Sequence, residues 1–260
     1  MSATVRFRAG LAFLPALAAT GFAVSVPARA GEFSGAVALG SQLVDRGLAI
    51  TPATPVLQGA GSWTSSTGWS LGLSAGVEAR SPGRLAEGMA QASHAWSLSS
   101  DWQMQASLLY YDYPSHLHSA VTDRTETGVN WTYRDILTLG VSAAWFIGAR
   151  DNGPHPAADL GFHWPLTEHF SLSAGVGVAQ AITSAYSSHG YYPGHEYGYG
   201  YAGRYGKGDA TTYRYGHAGL MWSYGSWRVE VDRVETDLDS GPSSNDPSAS
   251  PWLATITLAF

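Results

Sequence analysis

Arg228, Glu230 and Asp232 stand at alternate positions, separated by Trp227, Val229 and Val231. On a strand that spacing puts one cation and two anions on one face and the apolar groups on the other. Charges grouped in this way pair with one another or attract ions; they do not make or break bonds. Bond chemistry would need a nucleophile with a base in hydrogen-bond reach. Nine histidines, His94, His116, His118, His155, His163, His169, His189, His195 and His217, offer candidate bases, but no His-Glu-x-x-His spacing accompanies them. His116 and His118, with Asp112 and Asp123 nearby, read as solvated loop residues. His195-Glu196 with His189 would make only a weak, unselective metal site. No catalytic set, metal or cofactor is therefore expected, and the chain is not read as an enzyme.

Charged groups on one face of an otherwise apolar strand need an enclosure. Gln58, Glu78, Gln91, Gln103, Gln105, Glu126, Asn130, Asp159, His163 and His217 fall on the small, polar side of their own strands, as Arg228, Glu230 and Asp232 do. These thirteen are expected to line a lumen. The alternation is clearest where Trp69, Leu71, Leu73, Ala75 and Val77 face away from Ser70, Gly72, Ser74, Gly76 and Glu78. It recurs over 137–145 and 170–178. A sandwich would carry charged, water-loving residues on its polar face. Gly and Ser there suit an interior where opposite walls converge, which favours a barrel.

The connections give the topology. Short turns around Ser65-Ser66, Ser99-Ser100, Arg134-Asp135, Thr167-Glu168 and Gly225 are each flanked by large apolar groups: Trp63 and Trp69, Trp96 and Trp102, Trp131 and Leu137, Trp164 and Phe170, Trp222 and Trp227. Longer polar connections alternate with them, near 41–54, 79–85, 112–124, 149–157, 182–211 and 236–250. Outer-membrane barrels have this asymmetry of short periplasmic turns and long external loops. The expected fold is all-β: a transmembrane antiparallel up-and-down barrel of about twelve strands, with all six long connections outside it. The last strand puts Trp252, Ile256, Leu258 and Phe260 on one face and ends on Phe260, as strands recognised by the barrel-assembly machinery do.

Composition agrees. The 260 residues include 31 Gly, 14 Tyr and 10 Trp but only 13% charged residues, too few for a surface that must face water throughout. Absence of Cys excludes disulfides and thiolate chemistry. At the N-terminus Arg6 and Arg8 precede an apolar run from Leu11 to Val26 and a small-x-small site at Ala28-Arg29-Ala30. This is the pattern of a signal peptide cut after Ala30, leaving 31–260 as the barrel domain. The cut takes the chain from 14 basic against 20 acidic residues to 11 against 20, a net of about minus nine. So acidic a chain has no footprint for nucleic acid. The expected location is the cell outer membrane, and the expected partners are outer-membrane lipid, the assembly machinery, and small solutes or ions.

Ser34-Gly35-Ala36-Val37-Ala38-Leu39 leads to Asp45-Arg46-Gly47 and then to Pro55-Val56-Leu57-Gln58-Gly59. This order resembles the opening of the TorF-type porin family, and Leu109-Tyr110-Tyr111-Asp112-Tyr113-Pro114 is similar to that family's Tyr-rich strand end before a Pro. The resemblance covers most of 33–260. It departs at Leu43-Val44, where an aromatic is usual, and at a Tyr/Gly/His-rich insertion over 184–215. It implies an outer-membrane barrel and brings no catalytic residues. The insertion reads either as a loop folded over the mouth, stacking solutes on its tyrosines, or as a low-complexity loop.

Two functions stay open. One is a passive or weakly selective channel for small hydrophilic solutes or ions, preferring cations because acids outnumber bases on the inner faces. The other is a closed structural or adhesive barrel whose loops bind a partner, with an enzyme third. N-terminal sequencing of the exported protein from detergent-extracted outer membrane should start at Gly31. Recovery in the soluble periplasm would overturn the export reading.

Overall fold

Strands with one apolar and one small polar face cannot satisfy lipid and water at once unless they close on themselves. The computed structural model describes residues 31–114, 123–147, 153–182, 210–238 and 249–260. In chain order the strands are β1 (Glu32–Gly40), β2 (Val44–Asp45), β3 (Leu48–Ala49), β4 (Val56–Thr64), β5 (Trp69–Glu78), β6 (Leu85–Ser97) and β7 (Trp102–Asp112). They continue as β8 (Arg124–Tyr133), β9 (Leu137–Phe146), β10 (His155–Pro165), β11 (Phe170–Ile182), β12 (Ala210–Tyr224), β13 (Trp227–Thr236) and β14 (Trp252–Ala259). Among the described residues, every strand but β2 and β3 belongs to one closed antiparallel barrel of twelve, in which β1 pairs with both β4 and β14. The architecture is the one expected from the alternation.

The circle closes at the chain ends. Ala36 lies opposite Ala259 and Gly40 opposite Thr255. Beyond them the Gly35 amide donates to the Phe260 carbonyl at 2.8 Å and the Phe260 amide to the Gly35 carbonyl at 2.9 Å. The Phe260 ring lies against Gly35, where an added Cβ would stand only 2.6 Å from it. Trp252, Ile256 and Phe260 are exposed on the outer wall, and Leu258 shares their face.

Outward positions form an apolar belt. Leu73 is 69% and Val176 60% exposed, and Leu71, Val141, Leu172, Leu220 and Ile256 are exposed beside them. Aromatic rings fringe the belt: Phe33, Trp69, Trp96, Trp164, Phe170, Tyr224 and Trp227 near the short turns, and Tyr110, Trp145 and Trp252 toward the other end. Such a surface is suited to lipid, with rings at the interfaces. The turns are tight. Arg134 and Asp135 both take positive φ, 48° and 58°, and Ile136 closes that turn on the Tyr133 carbonyl at 2.9 Å. Arg134 in turn grips Asp101 of the adjacent turn through two nitrogens, at 2.9 and 3.1 Å.

One connection departs from expectation. Residues 41–54 do not form an external polar loop: most of this stretch is buried inside the barrel around the β2–β3 hairpin. The physical reason is composition, because Leu43, Val44, Leu48 and Ile50 gain ~1.5–3 kcal/mol each by leaving water. The signal segment, the loop residues His116, His118, His189 and His195, and the insertion up to 209 lie outside the described residues. The end of that insertion, 210–215, is the beginning of β12. Replacing Leu73 or Val176 with Arg should cost ~2–4 kcal/mol near the bilayer midplane, read from denaturant titrations of protein folded into vesicles. An unchanged midpoint would mean that the register is misassigned by one residue.

Candidate functional site

The hairpin turns on Arg46 and Gly47, whose φ values of 48° and 79° give the left-handed pair that a two-residue hairpin needs. A Cβ at Gly47 would also press on Tyr215 and Thr236 at 3.1 and 3.2 Å, so the tip is wedged against β12 and β13. Its apolar side chains fall into three separate clusters. Leu43 and Ile50 pack with Val56, Ala86, Leu109, Tyr111 and Tyr113. Leu48 packs with Ala157, Ala179, Tyr213, Tyr215 and Leu238. Val44 packs with Val234 and Leu253. Through these contacts the hairpin reaches walls on all sides of the lumen.

Its two charged residues meet β8. Arg124 donates from Nη2 to Asp45 at 2.6 Å, from Nη1 to the Tyr113 hydroxyl at 3.0 Å and from Nε to Glu126 at 3.4 Å. Its guanidinium lies 4.1 Å from the centre of the Tyr111 ring. Arg46 Nη2 donates to Glu126 Oε1, and to Ser142 Oγ at 2.9 Å. Burial opposes the Arg46 charge, but the carboxylates of Glu126, Asp45 and Asp159 outweigh it and hold the guanidinium above its ordinary pKa. Burial likewise pushes the Tyr113 hydroxyl well up, against the pull of Arg124.

Beyond the hairpin lies a cavity of about 130 Å³ running from Arg46 past Asp159, Ser173, His217 and Glu230 to His163, Arg228 and the short turn at Asp135. Tyr215 donates its hydroxyl to Asp159. The Ser173 hydroxyl is shared between Glu230 at 3.1 Å and Asp232 at 3.3 Å, and His217 Nδ1 lies 3.3 Å from Asp232. The Tyr215 and Ser173 contacts skip a strand: Ser173 faces Gly219, which faces Asp232, and a side chain at Gly219 would collide with the Asp232 carboxylate. His217 similarly lies over Gly175. The inner glycines thus make room for long polar side chains to lie across a neighbouring strand.

Gln58, Glu78, Gln91, Gln103, Gln105, Glu126 and Asn130 share the inward parity of β4 to β8. Gln91, Glu126 and Asn130 are buried, and Gln105 donates to Ser93 at 2.9 Å. Asp159, His163, His217, Arg228, Glu230 and Asp232 share the inner face of β10 to β13. The sequence list omitted Arg124, Glu87, Asp45 and Arg46, all buried. Arg124 has the parity of Glu126 and Glu87 that of Gln91, so the signal was present for both; the hairpin's signal was its apolar content. Gly72-Leu73-Ser74-Ala75-Gly76 matches a Gly-x-Ser-x-Gly spacing, but Ser74 sits mid-strand in β5 rather than on the strand-to-helix turn that exposes a nucleophile.

No family model matches the chain, and no curated protein matches its sequence. Solved structures do match. The NanC porin has 10% identity, with 88% of this chain and 99% of that one aligned at a TM-score of 0.51. The KdgM porin has 6% identity, with 87% and 98% aligned at a TM-score of 0.50. The fold is a porin fold. At such identities the likeness extends to the barrel and not to the side chains within it.

Glu126 neutralises two buried guanidinium groups, so Glu126→Ala should cost ~3–5 kcal/mol, measured as a lowered denaturation midpoint. Arg134→Ala, at an exposed pair, should leave the midpoint nearly unmoved. Equal effects would mean that the Glu126 pairs add nothing to the fold.

Proposed function

We propose that this protein is a porin-like channel of the bacterial outer membrane, passing small hydrophilic solutes or ions with a preference for cations, and held shut in the described state by its β2–β3 hairpin. The observation that carries this reading is a cavity of about 130 Å³ inside the barrel, in whose largely apolar wall Arg46, Asp159, Ser173, His217, Arg228 and Glu230 are set, and which ends on a hairpin rather than on a packed core. Carboxylates of Glu78, Glu87, Glu126, Asp159, Glu230 and Asp232 on the inner walls outnumber the guanidinium groups of Arg124 and Arg228. A cation entering such a lumen is favoured and an anion opposed. The apolar outer belt supports lipid as a partner, and the exposed Trp252, Ile256 and Phe260 support recognition by the assembly machinery. Assignment to the TorF-type family rests on the opening motifs, of which Asp45-Arg46-Gly47 forms the hairpin tip.

A second reading, a permanently closed barrel whose loops bind a partner, is favoured by the way the hairpin touches walls on all sides. Planar bilayers separate the two. Protein with 42–51 replaced by a short Gly-Ser linker should show steady conductance where the intact chain shows little. Its reversal potential should favour cations, and Glu230→Gln with Asp232→Asn should reduce that preference. No conductance after hairpin removal would leave the closed barrel standing.

A further inference from the structure

We propose that the cradle formed by Glu126, Ser142 and Asp159 is a binding site for the guanidinium or primary ammonium group of a small solute, occupied in this state by the chain's own Arg46. The inference deepens the channel reading by naming a solute class, and it rests on that reading for its physiological role.

The two buried arginines differ in how they are held. Arg124 uses all three guanidinium nitrogens and lies against an aromatic ring, as a structural arginine does. Arg46 makes both of its side-chain hydrogen bonds from one nitrogen. Its Nε is buried and, among the described residues, without a hydrogen-bond partner. Buried donors in structural pairs are nearly always satisfied. A guanidinium at a hairpin tip, held by one edge and facing a cavity, is placed as a displaceable ligand is placed.

The cradle belongs to the wall, not to the hairpin. Glu126, Ser142 and Asp159 come from β8, β9 and β10, and the register fixes them: Gly128 faces Ser142, Ser142 faces Ala157, and Asp159 faces Gly140. Withdrawal of Arg46 therefore leaves the carboxylates in place. The Glu126 carboxylate, Ser142 hydroxyl and Asp159 carboxylate suit a planar or tetrahedral nitrogen cation and repel a carboxylate or phosphate. The adjoining cavity, about 130 Å³, reaches the short-turn rim at Asp135 and Arg228 and leaves room for a small cation beside the cradle.

The test is Arg46→Ala, which vacates the cradle while Leu43, Val44, Leu48 and Ile50 keep the hairpin seated. Thermal unfolding of the detergent-folded variant is followed with methylguanidinium at low millimolar concentration and with methylurea, its neutral counterpart of the same shape. Methylguanidinium should raise the Tm of Arg46→Ala but not of the wild type, with an apparent affinity about tenfold or more above that of methylurea. Adding Glu126→Gln should abolish the response. Equal effects of the two compounds, or a wild-type shift as large as the variant's, would overturn the site. If Arg46→Ala does not fold, Arg46→Gln takes its place under the same criteria. Bilayer recordings of the hairpin-replaced protein separate this inference from the channel reading. Conductance that methylguanidinium does not block overturns the site and leaves the channel. A silent bilayer with an intact Tm response overturns transport and supports the site.

Discussion

Every backbone N–H and C=O placed in hydrocarbon has to find a partner within the protein, and for strands this means a circle without a free edge. The seam where β1 meets β14 is where that requirement is met last in sequence and at the greatest separation along the chain. It is held by paired amides between Gly35 and Phe260, and it needs a glycine because the terminal ring occupies the space a side chain would take. Closure then fixes parity everywhere else: with side chains alternating across each strand, one residue of slip would exchange the lipid face for the lumen face. The exposure of Leu73 and Val176 and the burial of Glu126 and Glu230 follow from one constraint.

Closure also creates a conflict inside. A twelve-stranded circle is narrow enough for side chains from opposite walls to crowd, yet the residues that cannot face lipid are long and charged. Inward-facing glycines relieve the crowding, as where Asp232 reaches Ser173 across Gly219. The charge is relieved from within the chain, by a hairpin that brings Arg46 to Glu126 and Asp45 to Arg124. Seating and orientation have different sources. Four buried apolar side chains supply a driving force that adds with area, whereas buried ion pairs roughly cancel their own desolvation cost and mainly fix which way the tip points.

The same division explains why a porin fold can be shared at 6–10% identity. Apolar, outward-facing residues interchange freely as long as the alternation is kept, so the barrel tolerates near-complete replacement of its sequence. The lumen does not follow from the barrel. Here its carboxylate-rich wall and guanidinium-tipped hairpin are properties of this chain's own residues.

Period-two alternation is a local property, so the strands, their inward and outward faces and the short turns at Arg134-Asp135 and Gly225 were readable from the sequence. Strand count followed, since each strand announces itself through its own neighbours. The fate of residues 41–54 was not readable, although their apolar content was visible. Whether a connection lies outside a barrel or inside it depends on the width of the lumen and on what the facing walls offer, and both arise only when strands distant in sequence are in register. Arg46 meets Glu126, 80 residues later, and Asp45 meets Arg124, 79 residues later. The sequence by itself pointed to a closed barrel with a polar interior rather than a sandwich, because Gly and Ser on the inner faces suit converging walls and a circle leaves no unpaired strand edge. Only the tertiary structure decided that the interior is filled from above and which carboxylate receives which cation, because those contacts are set by the radius and register of the closed circle.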